Sequence, residues 1–224
     1  MENLPSYLSI LFGIVVIVTI VWFYLATGSK AFLTISVAWT VLQSIFGISG
    51  VYQETESLPP RMLLFGFFPV LLIIALTFST TKGKVFIDQI NLKVLTYFHS
   101  IRIAVEVILL LLFYNGVMSV YMTFEGSNFD LFSGVTAPIA AFLAFRKAEV
   151  NRKLLIWWNI ICLLLLLNVV VTAVFAIPSP FQKLAFDQPN IAVLFFPYNL
   201  LPTVVVPTVL FGHLVALRQL TKKN

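Results

Sequence analysis

Seven apolar stretches follow one another with little chain between them, at about residues 7–27, 31–52, 61–80, 100–123, 131–146, 154–177 and 192–218. Most approach the roughly 20 residues that a helix needs to cross a hydrocarbon core. The spacing leaves no segment of about 50 residues for a separate soluble domain. The expected fold is therefore all-α, a single membrane domain over residues 1–224 built as a polytopic bundle of seven transmembrane helices. Composition points the same way: 60% of residues are hydrophobic and 10% charged, against about 45–50% and about 25% in soluble domains. The first stretch has only Glu2 before it and lacks the basic flank of a secretory signal, so it reads as the first span.

The fourth stretch is the one with a conflict inside it. Arg102 and Glu106 fall within its first two turns, where an ionised group costs roughly 2.5–3.5 kcal/mol on insertion scales unless it faces protein or water. Four residues apart, they share a helical face and are expected to neutralise each other. His99 lies three residues earlier on roughly the same face. At the far end comes a polar turn, Thr123-Phe124-Glu125-Gly126-Ser127-Asn128-Phe129-Asp130. Glu125, Asn128 and Asp130 read as a structural turn, with Asp130 expected at the N-cap of the fifth helix, meeting its free backbone donors and positive dipole end.

Basic residues set the expected orientation. With seven spans, one side holds Arg61 and Lys183, and the other holds Lys30, Lys82, Lys84, Lys93, Arg146, Lys147, Arg152, Lys153, Arg218, Lys222 and Lys223. The positive-inside rule then places the N-terminus outside and the C-terminus in the cytoplasm, as a multi-pass protein of the plasma membrane. In a soluble chain the net charge of +5 would suggest nucleic acid. Here the charges sit in short loops, and no nucleic-acid partner is expected. Membrane lipid is the expected neighbour of residues 82–98, whose apolar stripe and lysines suit an interfacial amphipathic helix before span four; the alternative is a soluble extension of that span.

Several spans carry polar or breaking residues. Ser36, Thr40, Gln43 and Gly47 form a stripe on the second, expected to face the bundle. Pro69 and Pro138 are expected to kink the third and fifth. The sixth opens with Trp157 and Trp158 at the interface and buries Asn159 and Asn168. In the seventh, Pro197, Pro202 and Pro207 rule out a regular helix, and Asn199, Thr203 and His213 form a polar seam. At about 1.5 Å per residue, Glu106, Asn159 and His213 reach similar depths from the cytoplasmic side. His99, Arg102, Glu106, Asn159 and His213 are thus the candidate ligand-binding or ion-pair cluster.

The chemistry available is narrow. The lone Cys162 excludes an intramolecular disulfide and Cys-based zinc sites. There is no glycine-rich phosphate loop, nucleophile elbow or aspartate pair for metal-dependent transfer. With two histidines in the chain, neither a metal nor a cofactor such as haem is expected. Three functional readings stand: a transporter or membrane sensor with a small-molecule or ion ligand in a polar intramembrane cavity; a membrane-embedded metal or haem enzyme using His99, His213 and Glu106; and a structural or assembly subunit of a membrane complex. The sequence names no protein partner.

The stretch Met122–Asp130, with Arg102, Glu106 and the closing proline-rich span, resembles an uncharacterised family of bacterial seven-span integral membrane proteins, across most of the chain. The resemblance implies a bacterial inner membrane and no assigned activity. The seven-span plan is also similar, in topology only, to that of microbial rhodopsins. Residues 192–218 contain no lysine to carry retinal, which excludes that chemistry.

Overall fold

The computed structural model describes residues 4–222; Glu2, Lys223 and Asn224, which entered the expectations about the chain ends, lie outside the described residues. The described chain is all-helical, with no strand. Its helices in chain order are α1 (Ser6–Thr27), α2 (Lys30–Ile48), α3 (Phe68–Ser79), α4 (Thr81–Gln89), α5 (Leu92–Phe98), α6 (Ile101–Tyr114), α7 (Asp130–Phe145), α8 (Arg152–Ala176) and α9 (Val206–Thr221). Among the described residues, six helical segments are long and apolar enough to cross a membrane: α1, α2, Met62–Ser79, Leu92–Tyr114, α8 and Leu201–Thr221. α7 is apolar but shorter, at 16 residues.

Much of the outer helix surface is apolar. Along α1, Ile10, Ile14, Ile17, Val21 and Leu25 are exposed at helical spacing, while Leu8, Phe12, Val15, Phe23 and Ala26 are buried. Soluble monomers rarely expose a contiguous apolar face of this length. The interior face of α1 packs on α5 and α6, and α8 packs between α7 and α9. A tight turn joins α1 to α2: Gly28 takes the left-handed conformation at φ 62°, open to a residue without a Cβ, and Ser29 accepts a hydrogen bond from the Phe32 N–H at 3.2 Å to start α2.

Prolines reshape two of the long segments, and α2 repairs both. Six residues of π-helix, Met62–Phe67, precede Pro69, and five, Leu201–Val205, precede Pro207. In each the N–H that closes the segment reaches five residues back, Phe68 to Leu63 O and Val206 to Leu201 O. Each proline also leaves the carbonyl four residues earlier without its helical donor. For Pro69 that carbonyl is Phe65 O, which accepts the Gln43 Nε2 amide at 3.0 Å; for Pro207 it is Thr203 O, which accepts the Trp39 indole N–H at 2.8 Å. The second-span stripe thus faces the bundle as hydrogen-bonding glue. Gln43 is fully buried, Tyr52 Oη donates to its Oε1, and Asn199 Nδ2 donates to its backbone carbonyl at 2.7 Å. A simple kink at Pro69 is replaced by a wide π segment with a side-chain repair.

Four further expectations are corrected. Residues 82–98 are not one interfacial helix: the chain breaks at Ile90-Asn91, where Asn91 Oδ1 caps α5. α5 then runs with α6 as one apolar segment, and Leu95 and Phe98 are fully buried. The helix of the fourth stretch stops at Tyr114, after which residues 115–129 fold back as a largely irregular segment held by Gln188 Nε2 on Phe113 O and Met118 O. Asn168 is exposed on α8 and donates to Ser127 O at 2.9 Å. Trp157 is 66% exposed, but Trp158, only 8% exposed, turns inward.

The end of α9 is tied to α4 by charge. Asp88 accepts from Lys222 Nζ at 2.8 Å and lies 3.3 Å from Arg218 Nε, and the Lys222 hydrogen bond foremost holds its carboxyl below the usual carboxylate range. A depressed folded-state pKa contributes stability that is present above the unfolded value and lost as pH falls through the folded one. Hydrogen exchange of the 215–222 peptide, corrected for intrinsic rates, is therefore expected to lose protection on acidification. Asp88→Asn should have the lower protection at neutral pH and converge with the wild type once Asp88 is protonated; an unchanged acid-dependent loss in that variant would refute the tether.

Candidate functional site

Two helix backbones must approach closely for the site to exist. At Gly134 a Cβ would lie 2.9 Å from both the Ile103 backbone nitrogen and its Cγ1, so glycine lets α7 pack directly on α6. That contact sets Asp130, the first residue of α7, beside Arg102 near the start of α6. Arg102 Nε donates to Asp130 Oδ2 at 2.6 Å, and its Nη2 donates to Oδ1, a two-point ion pair. Both are buried, at 2% and 5% exposure. The expected Arg102–Glu106 pair is corrected: the guanidinium turns across to α7, where a carboxylate meets it in forked geometry that a neighbour on its own helix does not match. The N-cap expectation changes with it. Phe129 occupies the cap position without a side-chain hydrogen bond, and Asp130 spends its carboxylate on Arg102.

From Arg102 the network runs two ways. Towards α9, Arg102 Nη1 lies 3.0 Å from His213 Nε2, and His213 Nδ1 lies 2.8 Å from Asn159 Oδ1. The Asn159 amide nitrogen already donates to Leu155 O, which makes its Oδ1 the acceptor and places the imidazole proton on Nδ1. His213 Nε2 then accepts from the guanidinium. His99 stacks on the His213 ring at 3.8 Å between centroids, and Trp158 packs edge-on to His99 at 5.6 Å. Neither His99 nitrogen has a hydrogen-bond partner among the described residues.

Towards the turn, the Asp130 N–H donates to Asn128 Oδ1 at 2.9 Å, and Asn128 Nδ2 reaches both Glu106 oxygens, at 2.8 and 2.9 Å, and Met122 O at 2.9 Å. Glu106 is 1% exposed and meets no cation within salt-bridge distance among the described residues. Of the sequence candidates, His99, Arg102, Asn159 and His213 come together directly, and Glu106 joins through Asn128 and Asp130. Asn128 and Asp130 belong to the buried network, whereas Glu125 stays outside it, exposed and accepting from Tyr114 Oη at 2.6 Å. Their sequence spacing to Arg102 and Glu106 gave no local signal, because the pairing depends on the α6–α7 approach.

Glu106 and Asp130 also line a groove of about 80 Å³ between the two π segments, α6 and α8, walled by Met62, Leu63, Phe67, Leu109, Leu166, Val169, Ala173 and Leu201. Asn190, a residue that carried no signal in the sequence, lines it too. Its Oδ1 accepts from the Ser119 N–H at 3.0 Å, and its buried Nδ2 has no partner among the described residues. Among the described residues, no group of three or more His, Cys, Asp or Glu side chains is gathered closely enough to hold a metal ion. The trio His99, His213 and Glu106 does not converge: both His213 nitrogens are engaged, and Glu106 is held by Asn128.

No curated protein and no solved structure matches the chain. One family model, Domain of unknown function (DUF8737), matches residues 59–221, which span the π segments, the whole ionic network and the groove. Since the match covers well over half of the chain, the protein belongs to the DUF8737 family.

Proposed function

We propose that this is an integral membrane protein of seven spans, α7 included, that transports or senses a small solute or ion at Glu106, with its N-terminus outside and its C-terminus cytoplasmic. Basic residues crowd the loops on one side, which supports the orientation. The irregular segment 115–129 supports the short fifth crossing, α7, because backbone outside a helix is tolerated at membrane depth where it is buried in protein. Met118, Ser119, Met122 and Thr123 are all buried there.

One observation carries the functional reading: Glu106 is a buried carboxylate on the wall of a groove, with an amide donor and, among the described residues, no cation within salt-bridge distance. Arg102 is already matched by Asp130, so the ionic pair holds the helices while Glu106 is left for an incoming proton or cation. Ionisable groups at membrane depth that lack a structural partner mark ion or substrate paths by default. Infrared difference spectroscopy on the purified protein in nanodiscs tests this. A carboxyl band that changes with pH or with added monovalent cation is expected in the wild type, shifted in Glu106→Asp and absent from folded Glu106→Gln. An unchanged difference spectrum in Glu106→Gln would remove Glu106 from the working site.

A further inference from the structure

We propose that the groove binds one aliphatic chain ending in a hydroxyl group, the class of a single-chain lipophilic alcohol. The proposal rests on the reading of Glu106 as the working site and names what that site recognises. The walls come first. Leu63, Phe67, Leu166, Val169, Ala173 and Leu201 offer no polar side-chain atom, so the body of the ligand must be hydrocarbon. The volume of about 80 Å³ takes only the head group and the first few methylenes, and because the groove is partly open the rest of the chain can run out of it, as a single flexible chain does and a ring system or a two-chain lipid does not.

The polar end is defined by two side chains that flank the same turn. Asn190 Oδ1 holds the Ser119 N–H, and Met122 O accepts the Asn128 amide that also holds Glu106. Ser119 and Met122 are the two ends of one tight turn, closed by Met122 N–H to Ser119 O at 3.1 Å. Among the described residues, Asn190 Nδ2, in a residue 1% exposed, is a donor lacking an acceptor, and Glu106 is an acceptor lacking a charged donor. A buried amide N–H left unmade is costly, so this site favours a head group that accepts from it. A hydroxyl does both jobs, accepting from Asn190 and donating to Glu106. An ammonium would satisfy Glu106 alone and leave Asn190 unpaired. A carboxylate would accept from Asn190 but face both Glu106 and Asp130 at close quarters.

The test uses full-length protein in nanodiscs and three photoactivatable probes of equal chain length, diazirine-bearing dodecanol, dodecylamine and dodecanoate. Dodecanol is expected to label peptides of Leu63–Phe67 and Leu166–Ala173, with competition by unlabelled dodecanol and not by dodecanoate. Asn190→Leu should weaken that labelling roughly tenfold, the effect of one lost hydrogen bond of about 1.4 kcal/mol. Ala173→Phe, which fills the groove from α8 without touching a polar group, should abolish it, with folding of each variant checked by its thermal transition. Equal labelling by dodecanoate, stronger labelling by dodecylamine, or labelling spread over lipid-facing helix surfaces and indifferent to Ala173→Phe would overturn the proposal. If the probes fail while the Glu106 infrared band behaves as expected, the ligand class falls and the proposed function stands; the opposite pattern removes Glu106 as an ion site.

Discussion

Asp130→Asn is expected to destabilise the protein by about 3–5 kcal/mol, because it leaves the Arg102 charge buried without its counter-ion. The substitution keeps the size of the side chain, so packing at the start of α7 is little changed and the loss reports charge. Arg102→Met combined with Asp130→Asn should cost far less than the two single losses together, as expected where a pair is removed as a unit. Glu106→Gln should show only weak coupling to Arg102→Met in the same cycle. Reversible denaturation in mixed detergent micelles measures all of these. Strong coupling of Arg102 to Glu106 and additivity with Asp130 would contradict the ion pair seen across α6 and α7.

The second large effect is expected at Gln43. Gln43→Leu removes the donor to Phe65 O and the acceptor of Tyr52 Oη, and each buried group left unpaired costs about 1–3 kcal/mol. Pro69→Ala gives the third segment a backbone N–H for Phe65 O, four residues back. In the Gln43→Leu background this change is therefore expected to recover part of the loss, whereas in the wild type Phe65 O already has its donor and the gain should be smaller. A cycle showing the same effect of Pro69→Ala in both backgrounds would mean that the glutamine does not compensate the proline.

Much of the architecture was legible because it depends on local rules. Apolar length marks α1, α2, α8 and the long segments around α3, α6 and α9 as candidate spans. The inward face of the second helix was readable from the spacing of Thr40, Gln43 and Gly47, since helical periodicity needs only one element to be known. The break at Ile90-Asn91 was missed for a local reason too: the apolar stripe of 82–98 continues across it, and a stripe does not distinguish one interfacial helix from a short helix followed by the start of a span.

Which side chains pair is a different kind of information. From the sequence alone, Arg102 and Glu106 stand as the charged core of the fourth stretch, Pro69 and Pro207 as breaks, and the turn 123–130 as polar chain that a helix cannot continue through. The tertiary structure decided that Arg102 is neutralised from another helix, that Glu106 is left on a groove wall, that Trp158 faces two histidines, and that Trp39 and Gln43 donate to the carbonyls released by two distant prolines. The physical reason is range. Helical period and capping act over three or four residues, but an ion pair or a freed carbonyl takes whatever partner the packing brings within about 3 Å, and here those partners lie 28, 22 and 164 residues away.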